Sequence, residues 1–137
     1  MTDVKSLKKL ANENRRRIID LVYYAKTGHP GGALSIIDML TAIYEIDVDL
    51  KAEKRSKVIL SKGHAVPALY AVLNSKGVIK DEEMTTFRKI NSRLQGHPYT
   101  GTIPEADATT GLLGQGLSIG VGMAIAKKIQ EIIIMYM

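Results

Sequence analysis

The sequence contains no cysteine and no tryptophan, and phenylalanine occurs once. Without cysteine there is no disulfide framework, no thiolate nucleophile and no zinc site of the cysteine type. No apolar run approaches the length of a membrane span, and the N-terminal MTDVKSLKKL lacks the apolar centre of a secretory signal peptide. A cytoplasmic protein is expected, with no membrane partner. Strong charge of one sign is also missing: 19 Lys and Arg against 14 Asp and Glu leave a formal charge of +5. The basic residues are scattered along the chain, and Arg15-Arg16-Arg17 reads as the solvated face of a helix beside Ile18 and Ile19. No nucleic-acid partner is expected; a modest basic excess suits a phosphorylated small molecule equally well. Histidine is scarce too, and here the scarcity is informative. The three histidines, His29, His64 and His97, each follow a glycine: TGHPGG, SKGHAV and LQGHPY.

What is present fits one domain of 137 residues, long enough to bury a core. From Val4 to Lys26 the apolar positions keep the three-and-four spacing of an amphipathic helix, which Thr27 to Gly32 ends. Ser35 is a suitable N-cap for a second helix carrying Ile36, Ile37, Leu40 and Ile43. The short apolar run Val58-Ile59-Leu60 reads as a buried strand. Lys62-Gly63-His64 then turns the chain into a helix over Ala65 to Ser75, with Pro67 in its first turn. Asp81 suits the cap of a further helix through Lys89. Residues 91–115 have no period, and an aperiodic stretch of that length inside a small domain is usually functional or disordered. Leu117 to Lys128 has a helical pattern despite Gly120 and Gly122, and close packing is the expected compensation. A last apolar run, Ile132 to Met135, reads as a strand. Helices alternating with strands predict an α/β protein with a parallel sheet, and ligands in such folds bind beyond the carboxyl ends of strands. His64 stands at such an end.

Each motif has an ordinary reading. A histidine in a helix-ending turn more often caps a carbonyl than serves a ligand. The histidine spacings of 35 and 33 residues lack the short ligand pair of zinc motifs, so no metal ligands are assigned. The segment TTGLLGQGLS, residues 109–118, places three glycines before a helix N-terminus, where an anion could be cradled. It is not a P-loop, since no Gly-Lys-Ser/Thr follows, and its glycine spacing is not that of a dinucleotide fingerprint.

Taken together and in order, TGHPGGALS, VILSKGHAVPALYAVL, FRKINSRLQGHP and TTGLLGQGLSIGVGMAIAKK resemble the first part of transketolase, closest to the N-terminal subunit of enzymes split into two chains. The resemblance runs from the first helix to Lys128. It implies residues 1–137 as a single, incomplete N-terminal part of a thiamine diphosphate-binding domain, a partial three-layer α/β fold whose parallel sheet is flanked by helices. It also implies transfer of a two-carbon ketol unit between sugar phosphates, with thiamine diphosphate and magnesium as cofactors. Residue by residue, His29 matches the histidine of the family's Gly-His-Pro-Gly motif, which faces the substrate hydroxyls. His64 matches the histidine near the cofactor's diphosphate and thiazolium, and His97 one that contacts the donor sugar. Gly111, Leu112 and Leu113 match the segment that holds the cofactor's rings. Leu112 replaces the family's usual Pro or Ser, which bears on loop stiffness more than on a backbone contact. Imidazole suits proton transfer at hydroxyls near neutral pH, and the reading expects three loops to bring the three rings to one place.

The family continues into a Gly-Asp-Gly motif and a later Asn that bind magnesium, and these lie beyond the end of this sequence. A C-terminal subunit or section is the implied partner, and the active enzyme an oligomer. The tail at residues 129–137 is atypically apolar, which a frameshift, a truncation or a naturally short chain would each explain. This chain alone is expected to be inactive, prone to self-association, or a non-catalytic binding module derived from the same fold.

Overall fold

A computed structural model of the chain describes residues 3–135. Helix α1 (Val4–Ala25) starts where the Asp3 carboxylate accepts from the Lys5 and Ser6 amides at 2.8 and 3.1 Å, satisfying two of the donors that a helix start leaves open. Its buried residues Ala11, Asn14, Ile18 and Leu21 recur at three and four, as a single face packed on a core requires. Lys26, in the left-handed region at φ 54°, ends it.

The chain then re-enters helix earlier than Ser35. Pro30 opens a one-turn helix, α2 (Pro30–Leu34), for which its fixed φ is preset, and α3 (Ile37–Ile46) follows. Ser35 caps neither by its side chain; its hydroxyl donates to the Gly32 carbonyl at 2.9 Å. A short 3-10 turn (Gly63–Ala65) leads into α4 (Val66–Ser75). Every residue of α4 from Val66 to Asn74 is buried, so it is the central rod against which α1, α2 and α3 pack. Leu69 and Leu73 join Ile18, Leu21, Ile37, Leu40, Tyr44 and Phe87 in one core.

The helix predicted through Lys89 is only α5 (Asp81–Met84). Lys80 occupies the cap position, its amide donating to Glu83 Oε2 at 3.0 Å, while the Asp81 carboxylate accepts from Asn74 at 2.8 Å. The aperiodic stretch is an ordered loop that buries Leu94, Ile103 and Ala106 in the core. It is anchored by Arg93, which meets Glu83 at 2.5 and 2.9 Å and the Val78 carbonyl at 3.0 Å. A final helix, α6 (Gln115–Met135), completes the described residues.

Two corrections follow. Among the described residues there is no β-strand, so they do not show the expected parallel sheet. Val58-Ile59-Leu60 runs without helix, but a strand needs a neighbour, and its backbone groups bond to side chains instead. The Val58 amide donates to Asp107 and the Leu60 carbonyl accepts from Thr110. The strand read over Ile132 to Met135 lies within α6. No Gly or Pro interrupts the sequence after Gly122, and a helix already nucleated propagates through apolar residues at little cost. Tyr136 and Met137, the end of the atypical tail, lie outside the described residues. The arginine run also departs from its reading. Arg16 is exposed, but Arg17 reaches the buried Asn74 at 2.8 Å and Arg15 pairs with Asp38.

Candidate functional site

His29 sits at the cap position of α2, and its ring meets that of His64 edge to face, with centroids 5.3 Å apart at 68°. The backbone makes this approach possible. A Cβ on Gly32 would lie 3.1 Å from His64 Nε2, tighter than ordinary contact, so the second glycine of the HPGG turn leaves room for the imidazole. A Cβ on Gly63 would lie 2.8 Å from the Thr110 carbonyl oxygen, so the glycine before His64 admits the third loop equally closely. The two histidine turns are also tied through side chains. Lys62 Nζ donates to Ser35 Oγ at 2.8 Å, and Ser35 in turn bonds the Gly32 carbonyl.

His97 lies beside Gly111: a Cβ on that glycine would be 3.8 Å from His97 Cδ2. The Thr110 amide donates to the Pro98 carbonyl at 3.3 Å, and the Thr100 amide to Thr109 Oγ1 at 3.1 Å. Thr110 Oγ1 donates to the Leu60 carbonyl at 2.7 Å, joining the 109–113 turn to the segment that ends in His64. The His97 imidazole is held below its ordinary pKa by partial burial first, then by the positive charges of Arg88, His29 and His64. His97 is thereby biased toward the neutral ring. Leu112 and Leu113 project into solvent, 69% and 72% exposed.

One residue of this cluster is absent from the sequence reading. Arg88 follows Phe87 in the FRKINSR segment, with φ 61°. Its Nη1 donates to Thr27 Oγ1 at 2.8 Å, and a Cβ on Gly96 would lie 2.8 Å from its Nε. Arg88 thus bridges the turn before His29 and the turn before His97. Its only sequence signal is membership of the motif ending in GHP. Among the described residues, no group of three or more His, Asp or Glu side chains is arranged to hold a metal ion. None of the described helices is long and apolar enough to cross a membrane.

Residues 6–132 match the family described as transketolase, thiamine diphosphate binding domain. The chain belongs to this transketolase family. A subunit of the apulose-4-phosphate transketolase of Phocaeicola vulgatus is 43% identical over 134 residues, covering 93% of this chain and 47% of that protein. A solved transketolase from Leishmania mexicana superposes with a TM-score of 0.82 at 32% identity, over 88% of this chain and 19% of that one. Transketolase from Pichia stipitis, solved in complex with sedoheptulose-7-phosphate, superposes with a TM-score of 0.78 at 34% identity, over 88% of this chain and 18% of that one. The chain thus spans about half the length of the Phocaeicola relative and about a fifth of the two solved transketolases. Both histidine turns of the edge-to-face pair, the His97 turn and the 109–113 turn fall inside the matched region of this transketolase domain.

Proposed function

We propose that this chain is the N-terminal, thiamine diphosphate-binding section of an enzyme that transfers a two-carbon ketol unit between sugar phosphates. The observation that carries the reading is the edge-to-face contact of His29 with His64, made by two loops 35 residues apart in sequence. A pair so separated, with Gly32 where a side chain would crowd the His64 ring and Gly63 where one would collide with the Thr110 backbone, supports a site built for a ligand.

The residues fit the cofactor on their chemistry. Gly111 is exposed beside His97, and the exposed Leu112 and Leu113 that follow offer apolar surface to a flat ring. Gly111, Leu112, Leu113 and His64 would hold thiamine diphosphate, which when bound supplies the carbanion chemistry of ketol transfer. His29 and His97 then face the substrate hydroxyls, where each ring orients a hydroxyl and takes or returns its proton. A neutral His97 is the form that accepts one. Magnesium would be bound by residues that the family resemblance places in the rest of the enzyme. The name of the Phocaeicola relative, a subunit of its enzyme, supports a C-terminal partner subunit, and an oligomer in which the site lies between chains. In the complete thiamine diphosphate-binding domain, Val58-Ile59-Leu60 would be one strand of a parallel sheet flanked by helices. A cytoplasmic location belongs to the same reading.

Isothermal titration with thiamine diphosphate and magnesium, on this chain alone and mixed with a protein that supplies the remaining length of a transketolase relative, tests the proposal. Binding and ketol transfer are expected in the mixture, with His29→Ala, His64→Ala and His97→Ala each lowering kcat/KM roughly 100-fold. Magnesium-dependent micromolar binding by the chain alone would contradict the need for a partner. No binding in the mixture would overturn the assignment.

A further inference from the structure

One buried charge has no part in the chemistry proposed above. The Asp107 side chain is wholly inaccessible, and its backbone has φ 54° and ψ −33°, a sparsely populated conformation for any residue with a side chain. A carboxylate in such a place costs several kcal/mol unless it is paired and hydrogen-bonded, and Asp107 is both. Oδ2 accepts from Arg55 Nη1 at 2.7 Å and from the Val58 amide at 2.9 Å. Oδ1 lies 2.7 Å from Arg55 Nη2 and 3.0 Å from Lys57 Nζ. Every partner belongs to residues 55–58, the approach to the extended segment that ends in His64.

The same two stretches of chain meet again three residues later. Thr110 donates to the Leu60 carbonyl, and the Thr110 carbonyl packs so closely on Gly63 that a Cβ there would collide. Beyond Thr110, the backbone at Gly116 presses on Ser61, where a Cβ would lie 2.6 Å from the Ser61 Cα. The two stretches therefore run alongside each other, and the bidentate ion pair of Asp107 with Arg55 lies at the end remote from the histidines. Tyr44 of α3 closes the cluster from the core side, its hydroxyl buried without a hydrogen-bond partner. Burial and the nearby Asp107 charge both push the Tyr44 pKa up.

We propose that Asp107 is a positioning residue: its buried ion pair locks the 109–113 turn and the His64-bearing segment into one body. Its value to catalysis rests on the thiamine diphosphate reading above; the clamp itself does not. Without it, two loops joined mainly by the Thr110 contacts would move independently, and a cofactor touching both would find its binding groups out of register.

Residue-resolved amide exchange by NMR on the chain, without any cofactor, tests this. In Asp107→Asn the amides of Thr100 and Thr110 are expected to exchange at least tenfold faster, and the ring resonances of His64 and His97 to shift. The amides of α4 from Leu69 to Leu73 should keep their protection. Asp107→Glu, which keeps the charge, should recover most of the lost protection. Unchanged exchange at Thr100 and Thr110 would overturn the proposal, and so would a uniform loss across α4, which marks a general folding role. Arg55→Lys serves if Asp107→Asn fails to fold. It keeps the positive charge but gives up the two-pronged contact, and the same selective loss in smaller degree is expected; no selective loss again overturns the proposal. Because the readout needs no cofactor, its failure is distinct from failure of the titration described under the proposed function.

Discussion

Arg88 is where the residue scale decides most about the candidate site. It stands between the turns that carry His29 and His97, bonded to Thr27 and pressed against Gly96, and its charge helps hold the His97 imidazole below its ordinary pKa. Removing a nearby positive charge makes protonation easier. In Arg88→Met, therefore, the His97 midpoint should move upward, toward the ordinary value of 6.5, in an NMR titration of its ring protons. A midpoint that stays or falls would remove Arg88 from the causes of the shift. In the assembled enzyme the same substitution should shift the acidic limb of the pH–rate profile to higher pH, because a larger fraction of His97 is then protonated at a given pH. The GHP triplets are legible as turns in the sequence, since glycine and proline punctuate a chain locally. The arginine is not, because its partners Thr27 and Gly96 lie on opposite sides of it, 61 and 8 residues away.

At the scale of elements, α6 and α5 each carry a prediction. Gly116 and Gly122 lie on the same helix, yet only the first is packed: a Cβ at Gly116 meets the Ser61 backbone at 2.6 Å, and one at Gly122 meets nothing within 4 Å. Gly116→Ala should cost about 1–3 kcal/mol, as overpacking does. Gly122→Ala should add up to about 1 kcal/mol from helix propensity. Urea unfolding of the two variants gives opposite signs if the packing is as described. From sequence, close packing is expected at Gly120 and Gly122. The structure gives it to Gly116, and to Gly120 in ordinary contact with Ile59, because which side of a helix meets a neighbour is not written in the helix. The Glu83–Arg93 pair ties α5 to the ordered loop and holds the Glu83 carboxyl near 2, chiefly through the Arg93 hydrogen bond. A carboxyl whose pKa is depressed in the folded state stabilises it above the unfolded value and loses that contribution as pH falls. The urea midpoint should thus drop as pH goes from 4.5 toward 2, and Glu83→Gln should flatten that part of the profile. The pair is partly exposed, so the effect is below about 1 kcal/mol. A profile identical in both proteins would remove the pair from the acid response.

For the whole molecule, the arrangement is lopsided. Around α4 the core is closed, with Tyr70, Leu69 and Leu73 buried, whereas α6 leaves Leu117, Val121 and Ile125 more than half exposed along one stripe at four-residue spacing. Such a stripe predicts concentration-dependent self-association of the chain in sedimentation velocity. Replacing Leu117, Val121 and Ile125 together by Glu should return it to a single slow species, and the C-terminal partner should do the same by covering the stripe. Association that survives the triple replacement would point to another surface.

What the sequence by itself determined is whatever depends on neighbours a few residues away: the amphipathic face of α1, the first turn of α4 with Pro67 in it, the three glycine–histidine turns, and the ordered set of motifs that carries the family likeness. What only the tertiary structure decided is whatever depends on partners far along the chain. Val58-Ile59-Leu60 has strand composition but no strand beside it, so its amide and carbonyl turn to Asp107 and Thr110 instead. Arg17, drawn from a run that looks solvated, is claimed by Asn74. His29 reaches His64 because Gly32 has no side chain to stand between them. Local pattern fixes which conformations are cheap for each segment, and the pairing of buried polar groups across the chain selects among them, because leaving one unpaired costs more than any local preference supplies.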